Sequence, residues 1–92
     1  MTQRSLQITY VKGRAFAAYL YFEREAETKR RSVKMVASDD HLLVVDYAES
    51  GKPLGVEIVT PQAVTLERLN QLLAEIGEAP MAEQEYAPLR AA

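Results

Sequence analysis

The apolar positions from His41 to Val59, HLLVVDYAESGKPLGVEIV, fall into two alternating runs joined by a turn that contains Gly51. Period-two alternation is the pattern of a β-strand with one covered face. An even loop, either Ser50-Gly51 or Glu49 to Lys52, sets Leu43, Val45 and Tyr47 against Leu54, Val56 and Ile58 and makes that face wholly apolar. An odd loop mixes Asp46 into it, so the even loop is expected. The opposite face then carries Leu42, Val44, Asp46, Gly55, Glu57 and Val59, half apolar and half acidic. A face that meets only water alternates more cleanly, so a cover is expected, and a second copy of the chain is one candidate.

Upstream, Leu6 to Val11 alternates as a strand and Lys12-Gly13-Arg14 reverses it. Ala15 to Phe22 has Phe16, Ala18, Leu20 and Phe22 on one side and Ala15, Ala17, Tyr19 and Tyr21 on the other, the two-sided pattern of a central strand. Glu23 to Arg31 is a charged loop, Ser32 to Val36 a third strand, and Ala37 to Asp40 the turn before the hairpin. After Val59 the period changes. Leu66, Leu69, Leu73 and Ile76 form a helical stripe, with Thr65 as N-cap and Gly77 as the left-handed residue past the end. The predicted fold is α+β: an antiparallel β-meander of about five strands with one C-terminal helix packed on one face. Residues 1–78 form the domain, and 79–92 an acidic, proline-containing tail, ordered only if it docks.

At 92 residues one core is possible, burying roughly 60–65% of the unfolded chain's surface, and no large enclosed active site is expected. Apolar and charged fractions of 48% and 26% fit a folded domain. A net charge of −2 supplies no field to gather nucleic acid or an anionic membrane. There is no cysteine, hence no disulfide, thiolate metal site or cysteine nucleophile. A polar N-terminus and the lack of about 18 consecutive apolar residues predict a cytoplasmic protein without a membrane span.

Glu27-Thr28, Asp46-Tyr47, Gly51 and Gly55-Val56-Glu57-Ile58 occur in an order that resembles a family of small bacterial proteins catalogued as domain of unknown function 2283. The resemblance covers about residues 6 to 60. It departs from the pattern at the first hairpin, where Tyr10 is followed by Val11-Lys12-Gly13-Arg14 and not by the family's acidic, proline-containing turn. It implies a fold, no established reaction, and an antitoxin-like role for some relatives.

Asp46 and Glu57 share a face on adjacent strands and are the only candidates for a shared metal or proton, but two carboxylates without a histidine or third ligand make a poor site. Ion pairing on the sheet, or bonding to basic side chains of a second copy, accounts for them as well. His41, the sole histidine, has no converging partners, and no serine sits in a nucleophile elbow. Lys29-Arg30-Arg31 interleaves with Glu23, Glu25 and Glu27, which cancels the local field. The tyrosines Tyr10, Tyr19, Tyr21 and Tyr47 are read as core or interface, and Tyr86 as an anchor for the tail. No catalytic, cofactor or metal residue is assigned. The expected function is a non-enzymatic interaction module, homodimeric through a sheet face centred on Leu42, Val44, Ala17, Tyr19 and Tyr21. Two alternatives are a regulatory or antitoxin-like protein that uses the acidic tail on a protein partner, and a small-ligand or metal binder that uses Asp46 and Glu57.

Overall fold

The computed structural model describes residues 4–22 and 32–90. The strands are β1 (Ser5–Val11), β2 (Arg14–Tyr21), β3 (Lys34–Ala37), β4 (Leu43–Tyr47) and β5 (Pro53–Ile58); a short 3-10 turn (Pro61–Ala63) and helices α1 (Leu66–Glu75) and α2 (Glu83–Arg90) follow. The charged stretch 23–31, with Glu27-Thr28 and the Lys29-Arg30-Arg31 cluster, lies outside the described residues.

All strand pairings are antiparallel, but the order is β1-β2-β5-β4-β3, which corrects the expected meander. In a meander β3 would lie beside β2. Instead β5 takes that place, pairing Ala18 with Ile58 and Leu20 with Val56. The reason is burial. β2 and β5 each bring a continuous apolar row to the core, whereas every residue of β3 is exposed and the strand suits an edge.

Two bulges adjust the faces. Ala48 N–H donates to Lys52 O and Gly51 N–H to Ala48 O, both at 2.9 Å, so the β4–β5 loop is the odd one, Glu49 to Gly51, with Gly51 at φ 91°. The even-loop expectation is therefore corrected: Leu43 to Asp46 keep the register that it predicts, but Tyr47 meets Pro53 and not Leu54. Tyr47 pairs with Pro53 but Asp46 with Gly55, leaving Leu54 as an extra residue that shifts the ladder by one and keeps Asp46 off the apolar face. In the first hairpin Lys12 and Gly13 both have positive φ, as a two-residue primed turn requires. There Tyr10 pairs with Ala15 and Thr9 with Ala17, so Phe16 is extra. That bulge reverses the expected sides of two residues: Ala15 is buried and Phe16 stands 65% exposed.

Helix α1 begins where Thr65 accepts from Arg68 N–H at 3.0 Å and ends where Gly77 N–H donates to Ala74 O and Glu78 N–H to Leu73 O, with Gly77 at φ 80°. Both ends match the sequence signals, and the second is a Schellman closure. Its stripe packs on the apolar sheet face: Leu69, Leu72 and Leu73 share one core with Ala18, Leu20, Phe22, Leu43, Val45, Val56 and Ile58.

The segment after Glu78 is docked, and it supplies a second helix where one was expected. Met81, Tyr86 and Leu89 belong to the same core. Asn70 on α1 holds the Met81 backbone in both directions, accepting from its N–H at 2.7 Å and donating to its C=O at 3.1 Å. The Tyr86 hydroxyl donates to Val64 O. Arg4 donates to Ala79 O at 2.6 Å and Pro80 O at 2.7 Å, and pairs with Glu85 at 3.3 Å. Glu85 also reaches back to Ala82 N–H at the start of α2, half of a capping box.

Truncating Leu69 to Ala leaves a cavity in this core, and the unfolding free energy is expected to fall by about 2–4 kcal/mol. A loss below about 1 kcal/mol in urea denaturation means α1 is not packed as described. Acid provides a second test. The bond from Arg4, then that from Ala82 N–H, holds the Glu85 carboxyl below its usual range, and Ser38, Leu42 N–H and Arg68 do the same for Asp40. For both groups the unfolded chain takes up a proton first. Their contribution is complete above the ordinary carboxyl values of about 4 and is lost as pH falls through the lower folded values. The double variant Asp40→Asn with Glu85→Gln should lose less stability between about pH 5 and pH 2 than the unmodified chain; equal losses count against these contacts.

Candidate functional site on the open sheet face

The helices cover one face of the sheet. On the other, the register lays out two rows across the strands: Ser5, Tyr21, Gly55, Asp46 and Met35, and beside it Gln7, Tyr19, Glu57, Val44 and Ala37. No described element packs over these rows. Asp46 and Glu57 are thus on one face and diagonal to each other, where the sequence pattern puts them.

The centre of this face is organised by the missing side chain of Gly55. A Cβ there would lie 2.3 Å from Tyr19 Cε1, 2.8 Å from Tyr19 Cζ and 2.7 Å from Leu20 O. The Tyr19 ring therefore crosses β5 through the gap, and its hydroxyl donates to Asp46 Oδ2 on β4 at 2.5 Å. Ser32 donates to the other carboxylate oxygen at 3.3 Å. Tyr21 packs against Tyr19 with ring centroids 4.3 Å apart and planes at 45°, an arrangement that aromatic quadrupoles favour. The result is a half-buried tyrosine platform across three strands, closed at one side by a carboxylate that two hydroxyls already engage.

Several candidates do not join it. Leu42, expected at the centre of the face, packs against the helix-covered core. The strand starts one residue later, because His41 has φ 60° and turns the chain, and strict alternation does not reach Leu42. His41 itself is exposed, its N–H donating to Ser38 O at the end of β4 opposite from Asp46. Tyr10 is 53% exposed, and Tyr47 lies on the core side with Lys34 Nζ 5.9 Å above its ring. Among the described residues no group of three His, Cys, Asp or Glu side chains converges, and no helix is long and apolar enough to cross a membrane.

Sequence reasoning missed the Tyr19 to Asp46 bond, because neither residue signals it alone. Gly55 was the available clue: a glycine inside a strand marks a close approach by something else. It also missed the pairing of Asp40 with Ser38 at 2.6 Å and Arg68 at 3.3 Å, which joins the β3–β4 turn to α1.

No family model, no curated protein and no solved structure matches this chain.

Gly55→Ala tests the platform. The new methyl group meets the backbone oxygen of Leu20, which cannot rotate away, and also drives Tyr19 off Asp46, so a loss of about 1–3 kcal/mol or more is expected. Tyr19→Phe keeps the ring in place and removes one charge-assisted bond at a partly exposed site, for about 1 kcal/mol. If Gly55→Ala unfolds within about 0.5 kcal/mol of the parent, the gap does not have the role described.

Proposed function

We propose that this chain is a non-enzymatic interaction module, and that it works as a homodimer with the open sheet face as its contact. The observation behind this reading is the half-buried tyrosine platform of Tyr19 and Tyr21, on a face that also carries Ala17 and Val44 and over which no described element packs. These side chains make the face more apolar than a purely solvated one, and apolar surface rimmed by polar groups such as Asp46 and Glu57 is where proteins associate. Tyrosine suits such a contact because it offers apolar area with a polar tip. Asp46 and Glu57 stand at the same face as acceptors for hydroxyls or basic groups of the second copy.

The two other readings have less behind them. A regulatory, antitoxin-like use of the acidic 79–92 segment would have to pull Met81, Tyr86 and Leu89 out of the core and break the contacts with Arg4, Asn70 and Val64. A metal or small ligand between Asp46 and Glu57 would compete with the Tyr19 and Ser32 hydroxyls for Asp46. The resemblance of residues 6 to 60 to an uncharacterised family adds no reaction to any of the three.

Sedimentation equilibrium from low to high micromolar concentration tests the dimer. The expected mass is twice the 10.3 kDa of one chain, and Ala17→Glu, which adds a carboxylate to an already acidic face, is expected to lower it. A constant single-chain mass over that range sinks the reading.

A further inference from the structure

The sheet has a second feature without a described partner, the outer edge of β3. Ser38 N–H donates to Leu43 O at 2.8 Å and Val59 N–H to Leu42 O at 2.9 Å. On β4, Leu43, Val45 and Tyr47 therefore turn their backbone groups to β3, and Leu42, Val44 and Asp46 turn theirs to β5. Given the β3–β4 register, Lys34, Val36 and Ser38 bond inward, while Met35 and Ala37 hold their N–H and C=O groups outward. No described strand lies there, and the side chains along it are open: Val33, Met35 and Val36 are 56%, 68% and 41% exposed.

Folded proteins blunt such an edge with proline, a bulge or inward-pointing charge. The opposite edge, β1, is bent by the bulge of β2 at Phe16, where its pairing shifts between Thr9 and Tyr10, and carries Ser5, Gln7 and Thr9 on one side. β3 has no proline and no register shift between Lys34 and Ala37; the irregularity at its start, where Val33 N–H also turns inward to Tyr47 O at 2.9 Å, lies before the strand, and its single charge, Lys34, lies over the Tyr47 ring.

We propose that β3 pairs antiparallel with β3 of a second copy, about a two-fold axis normal to the sheet at Val36, so that one sheet runs through both chains. Parity restricts the register, because a continuous sheet sets residues of the same face opposite each other, and outward backbone groups must meet outward groups. Centred at Val36, Met35 exchanges both backbone bonds with the partner's Ala37, a large side chain beside a small one, and Val36 meets the partner's Val36. Lys34 then faces the partner's Ser38, whose hydroxyl holds Asp40 at 2.6 Å, so at each end of the ladder a cation comes beside a carboxylate that Arg68 engages from the other side at 3.3 Å. Centring on Met35 would set Lys34 against the partner's Val36 and lose that pair. The groove between β3 and α1, lined by Val36, Tyr47, Leu72 and Ile76, borders the same strand. The edge pairing uses the backbone of Met35 and Ala37 and goes beyond the face contact, which is centred on Tyr19 and Tyr21; either can form without the other.

Charge at the two-fold position is the test. In Val36→Lys, and separately in Val36→Glu, like charges oppose each other across the axis, and each variant is expected to weaken dimerisation by about tenfold or more. Mixing the two should restore the dimer as a heterodimer. Met35→Pro removes an outward N–H without costing an inward bond and should also give monomers. Circular dichroism and urea unfolding at low concentration confirm that each variant is folded. A wild-type dimer that persists in both Val36 variants overturns the edge pairing, as does a loss that mixing fails to rescue. If Ala17→Glu abolishes the dimer and the Val36 variants do not, the face contact stands and the edge falls. If the Val36 variants abolish it and Ala17→Glu does not, the edge stands and the face contact falls. A wild type that stays monomeric overturns both.

Discussion

The pairing of β5 with β2 is the constraint on which the rest of this structure depends. β1 with β2, and β3 with β4 and β5, are each local units that a short turn can bring together. Among the described residues, the ladder from Ala18 and Ile58 to Tyr21 and Gly55, continued by Phe22 N–H to Leu54 O at 3.0 Å, joins the two sheets, and without it there is no continuous apolar face for α1. It also brings the Tyr19 ring to the Gly55 gap. Removing that one interface would leave a two-stranded hairpin, marginal by itself in water, and a three-stranded sheet with only part of the apolar face.

Much of the fold was legible. The turn at Lys12-Gly13, the caps of α1 and the sharing of a face by Asp46 and Glu57 all follow from local chemistry acting within a few residues. Strand order was not legible, because alternation states which face a side chain takes and not which strand lies beside it. Phe16 and Ala15 exchanged sides for a related reason: a bulge adds one residue to one strand, and period-two counting has no mark for it. In the second hairpin the same device worked unseen, with Leu54 absorbing the offset from an odd loop. The docking of residues 81–89 was hidden because Met81, Tyr86 and Leu89 are spread among acidic and small residues, and a helix of eight residues leaves little periodicity to read.

The candidate site was half visible. Its acidic positions could be placed from the sequence, but their chemistry depends on a tyrosine from a strand distant in sequence. With Asp46 engaged by two hydroxyls, the carboxylate fixes the aromatic platform, and the platform is the surface that a partner would meet. This shifts the interest of the face from its charges to its rings.

Arg4, near the start of the chain, is bound to Ala79, Pro80 and Glu85, near its end. Chains are made from the N-terminus and begin to collapse as they emerge. Here the five strands and α1 precede the residues that complete their core, so a chain that has not reached Leu89 leaves part of its interior open to water. Closing a loop of this span is an entropic cost met late. Ribosomal stalling before Met81, or a proteolytic cut that separates Met81, Tyr86 and Leu89 from the sheet, thus leaves a nearly whole sheet with a gap in its hydrophobic packing, a species open to chaperone capture or degradation.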